Sequence, residues 1–191
     1  MERRNKTGIF ANVKNNMAMQ SVNIFRVTKD KAVRYGTFGM WALIVVVFAG
    51  AWWAVLAEPF ILIPCVVMAL VTLSVLGVLF YYYAISPRCI EVTADGIVLH
   101  RVRGRKLFPY ADIAEAAVWR GRPSSMLRYF GSGAFCGYIG WFSGGGLGSH
   151  FEYVGRYSDA FYIRLHSGRT YLLSCEDSEK VVKHIESALA A

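Results

Sequence analysis

The sequence predicts an α+β protein, in which a two-helix transmembrane hairpin is followed by antiparallel β-structure and a C-terminal α-helix. Three observations lead to this class. Between Arg34 and Arg88, Glu58 is the only charged residue. Beyond Arg88, short runs alternate apolar and polar residues, which is the pattern of half-buried strands. The last segment instead repeats its apolar residues at helical spacing.

Residues 1–34 are predicted to form a basic cytoplasmic segment that is partly disordered. They contain eight Lys or Arg residues against Glu2 and Asp30. Much of the formal net charge of +8 therefore lies beside the first apolar run, where basic residues mark the cytoplasmic flank of a membrane span. This distribution argues against a nucleic-acid partner. A short strand is expected over 22–27, directly before the first helix.

Residues 35–87 are predicted to form the transmembrane hairpin, with helices at about 38–57 and 60–84. Each uncharged run exceeds the about 20 residues that a helix needs to cross a hydrocarbon core. Ala57-Glu58-Pro59 would join the helices in a tight extracytoplasmic turn, so Glu58 is interpreted as a turn residue in the far interface. A cleaved signal peptide is the disfavoured alternative, because a second span follows the first at once.

Both ends of the hairpin carry basic flanks, and such flanks stay on the cytoplasmic side. We therefore expect an integral protein of the inner cell membrane with two spans and both termini in the cytoplasm. Residues 88–191 would then form one cytoplasmic domain, which is long enough to bury a core of its own.

The first part of this domain predicts a series of strands. Two of them, Ile90–Thr93 and Ile97–Val102, flank Asp95-Gly96, a dipeptide suited to the positive φ angles of a two-residue hairpin turn. Further strands are expected at Lys106–Tyr110, Ile113–Trp119, Phe161–Leu165 and Thr170–Leu173. Between the fourth and fifth of these strands, glycines alternate with aromatic residues, which indicates either irregular backbone under large side chains or sharply bent strands.

The chain is predicted to end in an amphipathic helix that covers an open end of the sheet. Ser174 is the expected N-cap. Carboxylates in the first turn suit the positive end of the helix dipole, and here they are Glu176, Asp177 and Glu179. The apolar stripe consists of Val181, Val182, Ile185 and Leu189.

No residue pattern predicts catalysis, a cofactor or a metal site. The sequence has no Gly-x-Ser-x-Gly elbow, and the spacing of Gly131, Gly133 and Gly137 is not that of a dinucleotide loop. Spacing typical of metal ligands is absent from the four histidines, His100, His150, His166 and His184. The cysteines are scattered and are expected to be small buried hydrophobes with reduced thiols: Cys65, Cys89, Cys136 and Cys175.

Four segments, together with the order of parts, resemble the membrane-anchored bacterial pleckstrin-homology (PH-like) domain family. They are Val92-Thr93-Ala94-Asp95-Gly96-Ile97, Tyr110-Ala111-Asp112-Ile113, the stretch from Phe130 to Gly140, and Ser174-Cys175-Glu176-Asp177. In the last segment Cys175 stands where related proteins tend to have proline. The resemblance implies a PH-like fold, a strongly bent antiparallel sheet or barrel capped by the C-terminal helix, and it implies no enzymatic activity.

The expected function is therefore a non-catalytic, membrane-tethered interaction module that binds a protein or peptide partner at the inner membrane face. Anionic lipid headgroups are a possible second partner of a basic cluster close to the membrane, which consists of Arg101, Arg103, Arg105 and Lys106. The alternative for this cluster is that it only keeps the flank cytoplasmic and soluble. The alternative for the whole protein is a small accessory subunit of a membrane transport or secretion complex, in which the spans are the working part.

Overall fold

The computed structural model describes residues 23–57 and 62–190, which contain three α-helices and ten β-strands. The predictions for residues 1–22, and for Glu58 and Pro59 in the turn between the helices, lie outside these described residues.

The hairpin consists of α1 (Lys31–Leu56) and α2 (Leu62–Ile85). Helix α1 begins seven residues earlier than expected, because the Asp30 carboxylate accepts a 3.1 Å hydrogen bond from the backbone N–H of Ala32 and caps the helix. The expected start at about residue 38 was wrong, since it followed the apolar run and left out the charged first turn. Both helices are long and apolar enough to cross a membrane, and almost none of their side chains is buried.

A four-stranded antiparallel sheet contains β1 (Asn23–Arg26), β2 (Pro87–Val92), β3 (Gly96–Arg101) and β4 (Arg105–Pro109), in that order. The described part of the strand expected over 22–27 is confirmed as β1, which pairs with β2. The strand before α1 and the strand after α2 are thus neighbours in one sheet.

The turn between β2 and β3 differs by one residue from the prediction. The N–H of Thr93 donates a 2.9 Å hydrogen bond to the carbonyl oxygen of Gly96, so Ala94 and Asp95 take the central positions. Asp95 does not adopt a positive φ angle. Glycine is required at position 96 for another reason, because a Cβ there would lie 2.3 Å from the carbonyl oxygen of Phe108 on β4.

A six-stranded sheet has the order β5-β9-β10-β8-β7-β6. Its strands are β5 (Ile113–Val118), β6 (Met126–Gly133), β7 (Tyr138–Gly144), β8 (Ser149–Val154), β9 (Ala160–Leu165) and β10 (Thr170–Ser174). Strands β8 and β10 are parallel, and the other neighbours are antiparallel. Strand β8 has no counterpart among the predicted strands.

Much of the glycine-rich stretch forms strands β6 and β7, whose pairing has a register shift between Arg128 and Phe130. Gly131 on β6 and Gly140 on β7 face each other in register, with φ angles of +134° and +144°. A Cβ on either glycine would lie 2.2 Å from a carbonyl oxygen of the opposite strand. Both the backbone conformation and the close approach therefore require glycine here.

The core lies between the two sheets and is closed at one end by α3 (Ser178–Leu189), which packs against β5 and β9. Val181, Val182 and Ile185 are buried in this core, as the helical stripe predicts. The prediction that Leu189 belongs to this buried stripe is wrong, because Leu189 is the last residue of the helix and is 40% exposed.

The predicted N-cap of α3 is also wrong. Ser174 ends β10, and its Oγ accepts a 2.8 Å hydrogen bond from the N–H of Gly155. The residue before α3 is Asp177, which adopts a left-handed conformation with a φ angle of +56°. Glu176 and Asp177 therefore precede the helix, and only Glu179 of the three expected carboxylates lies in its first turn.

Candidate functional site

Four aromatic side chains cross the six-stranded sheet on its core-facing side. They are Phe130 on β6, Trp141 on β7, Phe151 on β8 and Tyr171 on β10, and each is in register with the next. The ring centroids of Trp141 and Phe151 are 5.3 Å apart, and those of Phe151 and Tyr171 are 6.4 Å apart. We refer to these four residues as the aromatic row.

Exposure increases along the aromatic row toward the sheet edge. Tyr171 is 7% exposed, Trp141 is 41% exposed and Phe130 is 70% exposed. Helix α3 covers the opposite end of the sheet, while β6 and β4 are edge strands of their respective sheets. The apolar interior between the sheets therefore continues onto the surface along β6 and β7.

Lys106 lies at the buried end of the aromatic row. Its Nζ is 3.9 Å from the ring centroid of Tyr171, and it is 5.3 Å and 5.8 Å from those of Phe108 and Tyr153. An ammonium group at these distances is attracted by the negative faces of the rings. The row thus combines apolar surface with one positive charge.

The structure divides the predicted basic cluster. Lys106 points toward the aromatic rings, and the guanidinium of Arg101 lies near the hydroxyl of Tyr153. Burial raises the pKa of Tyr153, and the nearby Arg101 only partly offsets this effect. Arg103 is exposed in the turn between β3 and β4, and Arg105 is exposed at the start of β4.

The turn that carries Arg103 is fixed to the C-terminal end of α2. The N–H of Arg103 donates a 2.8 Å hydrogen bond to the carbonyl oxygen of Ala84, and the N–H of Val102 donates a 3.0 Å hydrogen bond to that of Ser86. One of the four predicted basic residues, Arg103, is thus held beside the end of an apolar helix.

The loop between β6 and β7, residues 134–137, packs against both helices of the hairpin. The N–H of Cys136 donates a 2.9 Å hydrogen bond to the Oγ1 of Thr37 on α1, and Ser86 after α2 donates a 2.8 Å hydrogen bond to the Cys136 carbonyl oxygen. Phe135 packs beside Leu79 on α2, and its ring centroid is 6.2 Å from that of Trp41. The hairpin and the sheets therefore share an ordered interface.

A second link lies at the start of α1. The N–H of Asp30 donates a 3.0 Å hydrogen bond to the carbonyl oxygen of Gly155, and Thr28 donates a 3.1 Å hydrogen bond to the Asp159 carboxylate. The chain is thus held by the domain immediately before it enters the helix.

A buried ionisable pair on β8 is not predicted by the spacing of the histidines. His150 and Glu152 have fully buried side chains, and the His150 Nε2 is 3.0 Å from a Glu152 carboxylate oxygen. The other ring nitrogen of His150 is 2.9 Å from the carbonyl oxygen of Gly148, and Tyr157 donates a 2.7 Å hydrogen bond to Glu152. Burial lowers the pKa of His150, but the bonds to Glu152 and Gly148 outweigh it and raise this pKa above its ordinary value. Side chains two residues apart in a strand lie on the same face, so this spacing alone would have predicted that His150 and Glu152 share one face of β8.

A family model described as Bacterial PH domain matches residues 88–189, from β2 to α3. The match covers more than half of the chain. Searches of the curated proteins and of the solved structures give no match.

Proposed function

Because the chain belongs to the bacterial PH domain family, we propose that it is a non-catalytic interaction module that two apolar helices tether to the inner face of a bacterial membrane. There the PH-like domain binds an extended peptide segment of a partner protein. The binding surface is the exposed part of the aromatic row together with the edge of β6.

Membrane tethering is supported by the surface of α1 and α2. These helices expose large apolar side chains along their whole length, including Val46, Trp53, Leu70 and Leu73. An exposed apolar surface of this size is unfavourable in water and is satisfied by hydrocarbon. The basic flanks before α1 and after α2 favour a cytoplasmic location for the domain.

The single observation that carries the peptide-binding proposal is the rise in exposure along the aromatic row. A partner strand that pairs with β6 would place one of its side chains beside Phe130, at the exposed end of the aromatic row. Exposed aromatic residues are suited to this role, because they supply apolar contact area with little loss of conformational freedom on binding. Tethering raises the effective concentration of the domain at the membrane, so that even a weak interaction can suffice.

The second part of the proposal is that anionic lipid headgroups bind beside the turn between β3 and β4. Arg103 is exposed beside the end of α2, where the inner leaflet would lie, and Arg105 is exposed two residues further along the chain. Each such residue contributes about 1 kcal/mol of attraction to anionic headgroups. Lys106 is assigned to the aromatic row instead of to the lipid.

Site-specific photocrosslinking in the native membrane tests peptide binding. A photoreactive phenylalanine analogue would replace Trp141 or Phe130 in the full chain, and His184, exposed on α3, would carry it as the matched control. We expect both row positions to give an adduct with the same protein, and we expect Phe130→Ser to reduce the adduct formed at Trp141. Identical adducts from position 184, or adducts with lipid alone from all three positions, would refute the proposal.

Replacement of the distal parts of the hairpin distinguishes two hypotheses: that the helices only tether the domain, and that they are the working part of a transport subunit. Residues 45–56 and 62–74 lie beyond the helical positions that contact residues 134–137, so an unrelated apolar sequence can replace them without removing those contacts. A tether should keep its crosslinked partner after this change. Loss of the partner, with the domain still folded, would favour the accessory-subunit alternative.

A further inference from the structure

A cavity of about 460 Å³ lies between the helical hairpin and β6. Its helix side is formed by Met40 on α1 and by Val78 and Leu79 on α2, and its strand side runs from Arg128 to Phe135. A volume of about 300–1,000 Å³ is the range in which proteins hold small molecules. The size therefore fits part of an elongated molecule.

The helix side of the cavity lies inside the apolar segment of the hairpin. Met40 is six residues beyond Arg34, the last charged residue before the apolar run, which corresponds to about 9 Å along the helix at about 1.5 Å per residue. Met40 is 43% exposed and Val78 is 56% exposed. If the helices cross a membrane as proposed, the cavity is open to the inner leaflet, and water is not its natural occupant.

The strand side and the adjoining loop supply one cation, Arg128, and apart from Phe135 only small side chains. The guanidinium of Arg128 lies directly over Gly133, where a Cβ would come within 2.2 Å of it, so the absence of a side chain at Gly133 gives the guanidinium its room. Among the described residues, Arg128 forms no salt bridge. An exposed arginine at the rim of an apolar cavity is complementary to a molecule with an anionic head and an apolar tail.

The residue after Arg128 agrees with this environment. Tyr129 is 64% exposed, and tyrosine is one of the aromatic types that are enriched at the boundary between hydrocarbon and headgroups. Strand β6 thus carries an arginine at the cavity and an exposed tyrosine beside it in the sequence.

We propose that a single phospholipid of the inner leaflet occupies this cavity, with its phosphate on the Arg128 guanidinium and one acyl chain along Met40 and Val78. A guanidinium can donate two parallel hydrogen bonds to a phosphate, which fixes the headgroup in position. The bound lipid seals the space between α2 and β6 and supports the angle at which the domain stands on the membrane. This inference rests on the proposed membrane tether.

Native mass spectrometry of the full-length protein in micelles that contain phosphatidylglycerol tests the inference. We expect the wild-type protein to retain one phospholipid, and we expect Arg128→Gln to lower its occupancy about tenfold or more. Val78→Phe, which fills the cavity, should act in the same direction. The matched controls are Arg122→Gln, an exposed arginine away from the cavity, and Val71→Phe, an exposed position about two turns before Val78 in α2.

Each further outcome has a distinct meaning. Unchanged occupancy in both Arg128→Gln and Val78→Phe overturns the inference, and so does a loss that Arg122→Gln shows equally. Inorganic phosphate should not displace the lipid, because the acyl chain contributes much of the affinity, and displacement would indicate a simple anion site. Extraction of the wild-type protein from membranes by alkaline carbonate would instead refute the tether itself. Amide exchange over 126–144 verifies that each variant is folded.

Discussion

Ser86, the first residue after α2, donates a 2.8 Å hydrogen bond to the carbonyl oxygen of Cys136, which lies fifty positions further along the chain. Ser86 is fully buried, and Lys29 donates a 3.2 Å hydrogen bond to the same hydroxyl. One short side chain thus connects the segment before α1, the end of α2 and the loop between β6 and β7. The helices and the sheets form an ordered unit at this point.

Thr37→Val is expected to loosen this junction. The substitution removes the oxygen that accepts the N–H of Cys136, so that this buried amide loses its partner. A loss of about 1–2 kcal/mol predicts exchange of the Cys136 amide that is about ten times faster. Hydrogen–deuterium exchange of the protein in nanodiscs measures this rate. Thr72→Val is the matched control. Within the described residues the Thr72 hydroxyl donates its hydrogen bond to the Met68 carbonyl oxygen of the same helix, so exchange at Cys136 should not change in that variant.

Gly140→Ala is expected to destabilise the β6–β7 hairpin by at least about 2 kcal/mol. The new Cβ would lie 2.2 Å from the carbonyl oxygen of Phe130, and alanine rarely adopts a φ angle of +144°. Thermal unfolding followed by near-ultraviolet circular dichroism measures the effect. Gly50→Ala on α1 meets no atom within 4 Å and should be nearly neutral. Equal stability of the two variants would show that β6 and β7 do not approach as described.

The His150–Glu152 pair predicts that stability falls as pH rises. The folded pKa of His150 is raised above the ordinary value of 6.5, so protonated His150 stabilises the fold fully below pH 6.5. This contribution is lost as pH rises through the folded pKa. Unfolding by urea in detergent, repeated from about pH 6 to about pH 9, measures the trend.

Two variants identify the source of that pH dependence. Glu152→Gln removes the carboxylate and should reduce both the stability and its slope with pH, since the slope depends on the shifted pKa. His166→Gln changes an exposed histidine and should leave both unchanged. A slope that survives in Glu152→Gln would assign the effect to other groups.

The proposed orientation predicts which cysteines a membrane-impermeant reagent labels in intact cells. Burial raises the pKa of the Cys175 thiol to about 12, so this native cysteine gives little background. His184→Cys should react only after the cells are permeabilised, whereas Ala57→Cys, at the far end of α1, should react in intact cells. The opposite result for the two positions would place the PH-like domain outside.

The sequence predicts most elements because their signals are local. The uncharged runs, the alternation from Phe161 to Leu165 and the stripe on α3 each depend on neighbouring residues, and the structure confirms them. The N-cap prediction at Ser174 was wrong because a serine before an acidic segment is a common N-cap. In the structure the Ser174 hydroxyl instead accepts a hydrogen bond from the backbone N–H of Gly155. Long-range partners of this kind are not encoded in the local pattern.

The candidate site was harder to predict for the same reason. The aromatic row joins residues from four strands, and one of its steps is the parallel pairing of β8 with β10, which no local signal specifies. Lys106 belongs to a basic run in the sequence, but the register of β4 turns it toward Tyr171. Arg128 lines a cavity together with residues of both helices, and this long-range contact is likewise absent from any local pattern.

The pairing of β1 with β2 has a consequence for biogenesis. The ribosome makes β1 before α1, but the hydrogen-bonding partner of this strand appears only after both helices have been synthesised. Both helices must therefore be synthesised before the first sheet can be completed. If the helices insert into a membrane as proposed, β1 waits without its partner strand while insertion begins, and a chain stalled at that stage would present an unpaired strand to quality-control proteases.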